Sequence, residues 1–343
     1  MQYTTLGRTG VQVSRLCFGT MSFGGDADES TSARMFHRCR EAGINFFDTA
    51  NIYSQGKSEE ILGRLIKTGR DELVITSKVW GQMGTDRNRK GLSRRNIMLS
   101  VEESLRRLDT DRLDVYFCHM FDPNVPMEET LRALDDLVRQ GKILYPGVSN
   151  WSAWQIAKGL GMAQLLGLSP IYVIQPMYNL VKRVAEIEIL PLALAENLAV
   201  IPYSPLGGGL LTGKYTTRQR YKEGRLALNK NYAVRYGDET YYRIAEDFTD
   251  YARKIGANPA TLAVAWVKAH PAVTAPIIGA RNVEQLEASL AAADFDMSTE
   301  QWSEIAALTP PVPIATDRTE EAEGQRILGG YAAQSPGSKG LGV

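Results

Sequence analysis

The chain has 343 residues, with 39 Lys+Arg balanced by 39 Asp+Glu and a sequence pI near 6.9, so no overall field favours nucleic acid or an anionic membrane surface. Cys17, Cys39 and Cys118 are scattered without C-x-x-C spacing, which argues against a disulfide framework and a zinc site. The opening MQYTTLGRTG lacks the basic-then-apolar order of a signal peptide, and no apolar run approaches the roughly 18 residues of a membrane span. These features lead us to expect a cytoplasmic protein that takes a small molecule, with neither nucleic acid nor membrane as partner and a homo-oligomer left open.

In chain order, residues 2–18 alternate around Arg8-Thr9-Gly10 and predict a hairpin. Short runs rich in Val, Ile, Phe and Tyr then alternate with stretches of helical period. The runs predict strands over Ser14 to Gly19, Asn45 to Asp48, Leu73 to Lys78, Leu113 to His119, Ile143 to Asn150, Ile171 to Gln175, Ala199 to Ser204 and Ala275 to Gly279. Helices are predicted over Thr31 to Ala42, Ser58 to Lys67, Arg94 to Leu108, Met127 to Gln140, Ser152 to Leu166 and Ile187 to Asn197, several closed by Gly43, Gly69 or Gly141.

Eight strands alternating with helices, undivided by a linker, predict an α/β chain with a (β/α)8 barrel over residues 1–309, in preference to an open doubly wound sheet. Within it, residues 210–240 read as a long loop, since Thr216 to Asp238 is polar and rich in Tyr and Arg. Residues 310–343 carry Pro, Gly, Glu and Ser without periodicity and read as a poorly ordered extension.

Polar residues close the apolar runs. Asp48 ends NFFD, Lys78 ends LVITSK, His119 ends VYFCH, Asn150 ends GVSN, Gln175 ends YVIQ and Ser204 ends IPYS. In a parallel barrel those ends meet at one rim. Taken singly, each is as well explained by capping, packing or solvation; together with Tyr53, just after Asp48, they form a candidate site. An ammonium beside a phenol stabilises the phenolate, so Lys78 is expected to lower the Tyr53 pKa, with Asp48 orienting Lys78 and His119 hydrogen-bonding a carbonyl or relaying a proton. The three histidines lack metal-ligand spacing, and no metal is expected.

One further stretch, PLGGGLLTGKY, spells G-x-x-x-x-G-K from Gly208 but has Tyr215 where a nucleotide-hydrolysing loop needs Ser or Thr for magnesium. It reads either as a degraded ATP loop or as a glycine-rich cradle for another phosphate.

Residues 2 to 308 resemble the aldo-keto reductases through LGRTGVQVSRLCFGTMSFGG, FFDTANIYSQGKSEEILGRLIK, ITSKVW, DVYFCH, GVSN, QPMYNL, YSPLGGGLLTGKY and IIGARNVEQL, in the family's order. The resemblance implies a barrel with the hairpin across its bottom, active at the opposite rim. It also implies a catalytic tetrad of Asp48, Tyr53, Lys78 and His119, with Tyr53 as general acid in the NADPH-dependent reduction of an aldehyde, ketone or sugar carbonyl. By the same resemblance Ser204, Pro205, Leu206, Gly208, Leu210 and Lys214 wrap the pyrophosphate, with Arg225 as a further clamp. Ser149, Asn150 and Gln175 match residues holding the nicotinamide carboxamide, and Tyr203 the stacking position. Thr20, Met21 and Asp48 line the reacting end. Gly279, Arg281 and Gln285 match the adenosine end, where Arg281 suits a 2′-phosphate and so NADPH over NADH. Ser289 stands where the family usually has Asn, which weakens the expected adenine grip. Phe23, Trp80, Met120 and Trp151, with Tyr53 and His119, are expected to wall the substrate pocket. The motifs are also similar to those of potassium-channel β subunits, so a coenzyme-binding subunit with little turnover is the second reading.

Overall fold

A computed structural model describes residues 1–219 and 224–318. Strands β1 (Tyr3–Thr5) and β2 (Gln12–Ser14) form an antiparallel hairpin with Thr4 opposite Val13. Eight parallel strands follow: β3 (Cys17–Gly19), β4 (Phe46–Asp48), β5 (Val74–Val79), β6 (Leu113–Cys118), β7 (Ile143–Ser149), β8 (Val173–Gln175), β9 (Ala199–Val200) and β10 (Ile277–Ile278). Each pairs with the next from β3 to β9, and β10 pairs with β3. Backbone hydrogen bonds from Ala275 N–H to Val200 O (3.3 Å) and from Ile277 N–H to Pro202 O (2.9 Å) join the remaining edge. The sheet is an eight-stranded barrel, as the alternation predicts. Its last two strands are shorter than their apolar runs because Pro202 and Pro276 have no N–H to give a ladder.

The helices are α1 (Glu29–Glu41), α2 (Lys57–Ile66), α3 (Arg94–Leu108), α4 (Met127–Arg139), α5 (Ala153–Leu166), α6 (Ile189–Ala195), α7 (Arg225–Leu228), α8 (Lys230–Tyr236), α9 (Glu239–Lys254), α10 (Pro259–Ala269), α11 (Val283–Leu290) and α12 (Thr299–Ala306). The first starts earlier than its apolar period suggests, because Asp28 is the cap and accepts from Thr31 N–H at 2.7 Å. Gly43, Gly69 and Gly141 all take positive φ, the left-handed closure expected of them. The span read as one long loop holds two short helices, α7 and α8. Neither carries an apolar stripe; α8 is set by the Asn229 cap and by Tyr236, which is fully buried. The expected poorly ordered extension falls mostly on residues 319–343, outside the described residues.

Strand periodicity sorts the core into two layers. Phe47, Ile75, Tyr116, Val148, Ile174 and Val200 face outward into the helix layer. Phe46, Val74, Val115, Phe117, Val173 and Ala199 fill the barrel, where Leu6 and Val13 of the hairpin region join them. Gly147 makes room inside, since a Cβ there would lie 2.6 Å from the Phe117 ring. Two residues onward from these inward positions come Asp48, Thr76, His119, Ser149 and Gln175, with Lys78 two beyond Thr76. The rule that fills the barrel with hydrocarbon below therefore supplies polar groups at its rim.

Beneath α12, His270 is buried, and its Nδ1 accepts from Ala272 N–H at 3.2 Å. Burial lowers its pKa to about 4, with Glu186 opposing and Arg183 adding. The unfolded chain protonates this imidazole near 6.5, so between about 6.5 and 4 the unfolded state binds the extra proton. Stability should fall as pH drops through that window, by up to about 1.4 kcal/mol per pH unit from this residue. Urea midpoints at several pH values should show a shallower acid loss for His270→Gln than for the wild type.

Candidate active site

Asp48, at the end of β4, and Lys78, in β5, are both buried, with Lys78 fully so. The Lys78 ammonium donates to Asp48 Oδ2 (2.6 Å), to the Thr49 carbonyl (2.6 Å) and to the Tyr53 hydroxyl (3.3 Å). A buried ion pair persists only when its remaining polar atoms are satisfied. Here the second carboxylate oxygen accepts from Thr76 Oγ1 (2.6 Å) and from Gln175 Nε2 (3.0 Å). Tyr53 reaches the group because the chain reverses just after it, with Ser54 and Gln55 both at positive φ. The His119 ring stands edge-on to Tyr53, 6.0 Å between centroids. The four residues are thus brought together at one end of the barrel.

Electrostatics correct one expectation. The Tyr53 pKa is raised rather than lowered: burial is the largest effect, Lys78 pulls the other way and Asp48 adds to the rise. Because Asp48 neutralises the neighbouring ammonium, desolvation of the phenolate wins, and Tyr53 is a protonated donor at neutral pH. Burial by itself pulls the Lys78 ammonium down, but Asp48 and Tyr53 together hold it above its ordinary value. Burial, and then Lys78, lower His119 to about 3. His119 is therefore neutral, able to hydrogen-bond but not to act as a resident cationic acid.

From this group a hydrogen-bonded chain runs along the rim. Ser149 Oγ donates to the Gln175 carbonyl (2.9 Å), Asn150 Nδ2 to Ser149 Oγ (3.0 Å) and to the His119 carbonyl (2.9 Å), and Tyr203 OH to Asn150 Oδ1 (2.7 Å). Asn150 and Ser204 hold left-handed backbone, φ 58° and 59°, immediately after the inward-facing Ser149 and Tyr203. Such conformations in non-glycine residues are costly and recur at binding sites.

Beyond Ser204, Pro205 and Leu210 are buried, Leu206 and Gly208 half-buried and Lys214 exposed. Gly207, Gly208 and Gly209 all have positive φ. A Cβ on Gly208 would lie 2.7 Å from the Tyr232 ring of α8, and one on Gly209 would meet nothing within 4 Å. Arg225 lies over the Tyr232 ring at 5.3 Å and 3.9 Å from Asp26. Gly279 and Gly19 sit side by side, the would-be Cβ of Gly279 being 3.4 Å from the Gly19 carbonyl. Arg281 is exposed at the start of α11, where its N–H meets Gln285 Oε1 at 3.3 Å. Ser289, in the same helix, is buried with an unpartnered Oγ.

Not every candidate turns to the mouth. Thr20 is fully buried and its hydroxyl is engaged with Ser58 Oγ (2.8 Å) and the Asp48 carbonyl (3.2 Å). Phe23 is likewise fully buried, packed 5.8 Å from Phe18, so its ring belongs to the core and not to a pocket wall. Met21 and Met120 are exposed, Trp80 is half-buried, and Trp151 is buried edge-on to Phe121 at 5.1 Å. The Trp80 and Trp151 indole N–H groups are buried without a partner. The sequence reading missed Thr76, which bonds Asp48, and Tyr232 of α8, which packs against Gly208. Thr76 carried a signal, being two residues before Lys78 and so on the same strand face.

A profile described as the Aldo/keto reductase family matches residues 15–310. The chain belongs to the aldo/keto reductase family. Among its relatives, an uncharacterized oxidoreductase, YrpG, from Bacillus subtilis is 38% identical over 316 residues, covering 88% of this chain and 93% of the relative. A probable voltage-gated potassium channel subunit beta from Arabidopsis thaliana is 38% identical over 302 residues, covering 86% and 92%. A norsolorinic acid reductase from Aspergillus flavus is 33% identical over 312 residues, covering 86% and 78%. Family membership and these relatives support an oxidoreductase. Among the described residues of this aldo/keto reductase no helix is long and apolar enough to cross a membrane, and no cluster of three or more His, Cys, Asp or Glu could hold a metal ion.

Proposed function

We propose that the chain reduces an aldehyde, ketone or sugar carbonyl at the expense of NADPH, reversibly, with Tyr53 as the proton donor. The observation that carries this is the Tyr53 hydroxyl set 3.3 Å from a fully buried ammonium that is itself paired with Asp48. A nicotinamide coenzyme bound at this rim supplies hydride.

The residues fit such a coenzyme. Three successive left-handed glycines turn the chain, and Gly209 among them leaves open space beside its backbone where a pyrophosphate needs close approach, with Lys214 beyond. Gly279 is exposed and leaves its part of the adjoining rim without a side chain, and the orphaned Ser289 Oγ lies in the helix that Arg281 and Gln285 begin. Ser149, Asn150 and Gln175 would hold the carboxamide, Tyr203 would stack on the ring, and Arg281 would favour the 2′-phosphate of NADPH over NADH.

Tyr53 donates its proton to the developing alkoxide, and the Lys78 ammonium steadies the phenolate left behind. Neutral His119 orients the carbonyl oxygen. In the reverse direction the Tyr53 phenolate accepts the alcohol proton, so oxidation should speed up with pH while reduction holds level below the phenol's raised pKa. Trp80, Met120 and Trp151 bound the substrate. We take residues 1–309 as one catalytic unit and 310–343 as an extension to it.

Similarity to a plant channel β subunit favours one alternative, a coenzyme-binding subunit with little turnover. The test is NADPH consumption by the purified chain over a panel of aldehydes, ketones and oxidised sugars, with NADPH binding followed by fluorescence. Turnover on some members supports the reductase; tight binding with none supports the alternative.

A further inference from the structure

Tyr53 leads into a stretch of backbone that is costly to hold. Directly after it Ser54, Gln55 and Gly56 take φ of 48°, 55° and 94°, and α2 begins at Lys57. Two of the three are not glycine, and such conformations persist only where the surroundings over-determine them. The first turn of α2 supplies that hold on two sides. On one, the fully buried Ser58 hydroxyl donates to the Thr20 carbonyl (2.8 Å) and lies 3.0 Å from Oγ1 of Thr49, the residue whose carbonyl receives the Lys78 ammonium. On the other, the fully buried Glu59 carboxylate accepts from Ser77 Oγ of β5 (2.5 Å) and from Arg107 Nε of α3 (2.7 Å).

Both partners of this carboxylate adjoin the reacting group. Ser77 immediately precedes Lys78 on β5, and Arg107 lies against the turn itself, where a Cβ on Gly56 would stand 2.8 Å from its Cδ. Further along α2, a Cβ on Gly63 would stand 2.6 Å from the Arg107 carbonyl oxygen, so α2 closes directly on α3. Hydrocarbon would hold two helices together at least as well as a buried ion pair, whose desolvation offsets much of its attraction. Directional bonds add a fixed position, here for the start of the helix into which Tyr53 leads.

We propose that Glu59 is a positioning residue for the proton donor: it clamps the start of α2 to β5 and α3, so that the turn ahead of it keeps the Tyr53 hydroxyl on the Lys78 ammonium. This rests on the reductase reading above for what Tyr53 does, and on the bonds of Glu59 alone for where Tyr53 is held.

Glu59→Gln keeps the shape and removes the charge that Arg107 meets, while Ser77→Ala removes the other bond, strands no charge and serves where the first variant does not fold. Glu59→Gln should lower kcat by about 10- to 100-fold and Ser77→Ala by less, with the NADPH Kd and the carbonyl KM near wild type. Because the effect runs through Tyr53, the same substitution in a Tyr53→Phe background should cost nothing further. An unchanged kcat in Glu59→Gln, or in Ser77→Ala where the former does not fold, overturns the proposal. So does an equal fold loss in both backgrounds, which assigns Glu59 to stability alone. Full-length chains carrying 3-fluorotyrosine test the placement without turnover, with the Tyr53 and Tyr203 signals assigned by their loss in the Phe variants. In Glu59→Gln the fluorine resonance of Tyr53 should shift or broaden while that of Tyr203 stays. A Tyr53 resonance that does not move, or moves no more than that of Tyr203, overturns the proposal. Absence of turnover by the wild type would count against the reductase reading alone, because the resonance comparison stands apart from it.

Discussion

Replacing Tyr53 by Phe is expected to lower kcat by about 10²- to 10⁴-fold while NADPH binds with nearly wild-type affinity. The substitution removes one oxygen and leaves the ring that faces His119 edge-on. What is lost is the proton held 3.3 Å from the Lys78 ammonium, and the raised pKa of Tyr53 ensures that this proton is present at neutral pH. His119 cannot replace it, since an imidazole with a pKa of about 3 carries no extra proton to give. Steady-state rates with a reactive aldehyde, beside a fluorescence titration of NADPH, check both halves. A variant that turns over at the wild-type rate removes Tyr53 from the proposed role.

Lys78→Met should cost both stability and activity, and the two losses should separate. Lys78 has no exposed surface and Asp48 almost none, so deleting the ammonium leaves a buried carboxylate with only Thr76 and Gln175 as partners. Breaking a buried pair from one side typically costs about 3–5 kcal/mol. Adding Asp48→Asn removes the stranded charge, so the double variant should regain much of the lost stability. It should regain no activity, because nothing then stabilises the Tyr53 phenolate. Urea unfolding and rates across the double-mutant cycle read the two effects independently.

Much of the barrel and its rim could be read before the structure, for a physical reason. Two-residue periodicity puts Phe46 and Asp48, Phe117 and His119, and Val173 and Gln175 on the same face of their strands, so an apolar run that ends in a polar residue already indicates a polar group above a hydrocarbon core. The bounds of α3, Arg94–Leu108, agree with the prediction because Ser93 caps one end and the apolar period runs unbroken to the other. What escaped depends on contacts distant in sequence. Helix α8 is held through Tyr236 by Asn179, 57 residues away, and no local pattern announces it. Phe23 looked like a pocket aromatic in its loop, yet it closes the core against Phe18. The direction of the Tyr53 shift also escaped, because a lysine in a sequence appears as a free charge whereas Lys78 is already paired.

The most direct test of hydride delivery to a carbonyl is the fate of a label. The wild-type chain would be incubated with NADPH deuterated at both positions on nicotinamide C4 and with an aldehyde it reduces, and the alcohol examined by mass spectrometry and NMR. Our account predicts one deuterium per product molecule, bonded to the carbon that bears the new hydroxyl. Alcohol formed without the label, or coenzyme consumed without alcohol, would contradict it.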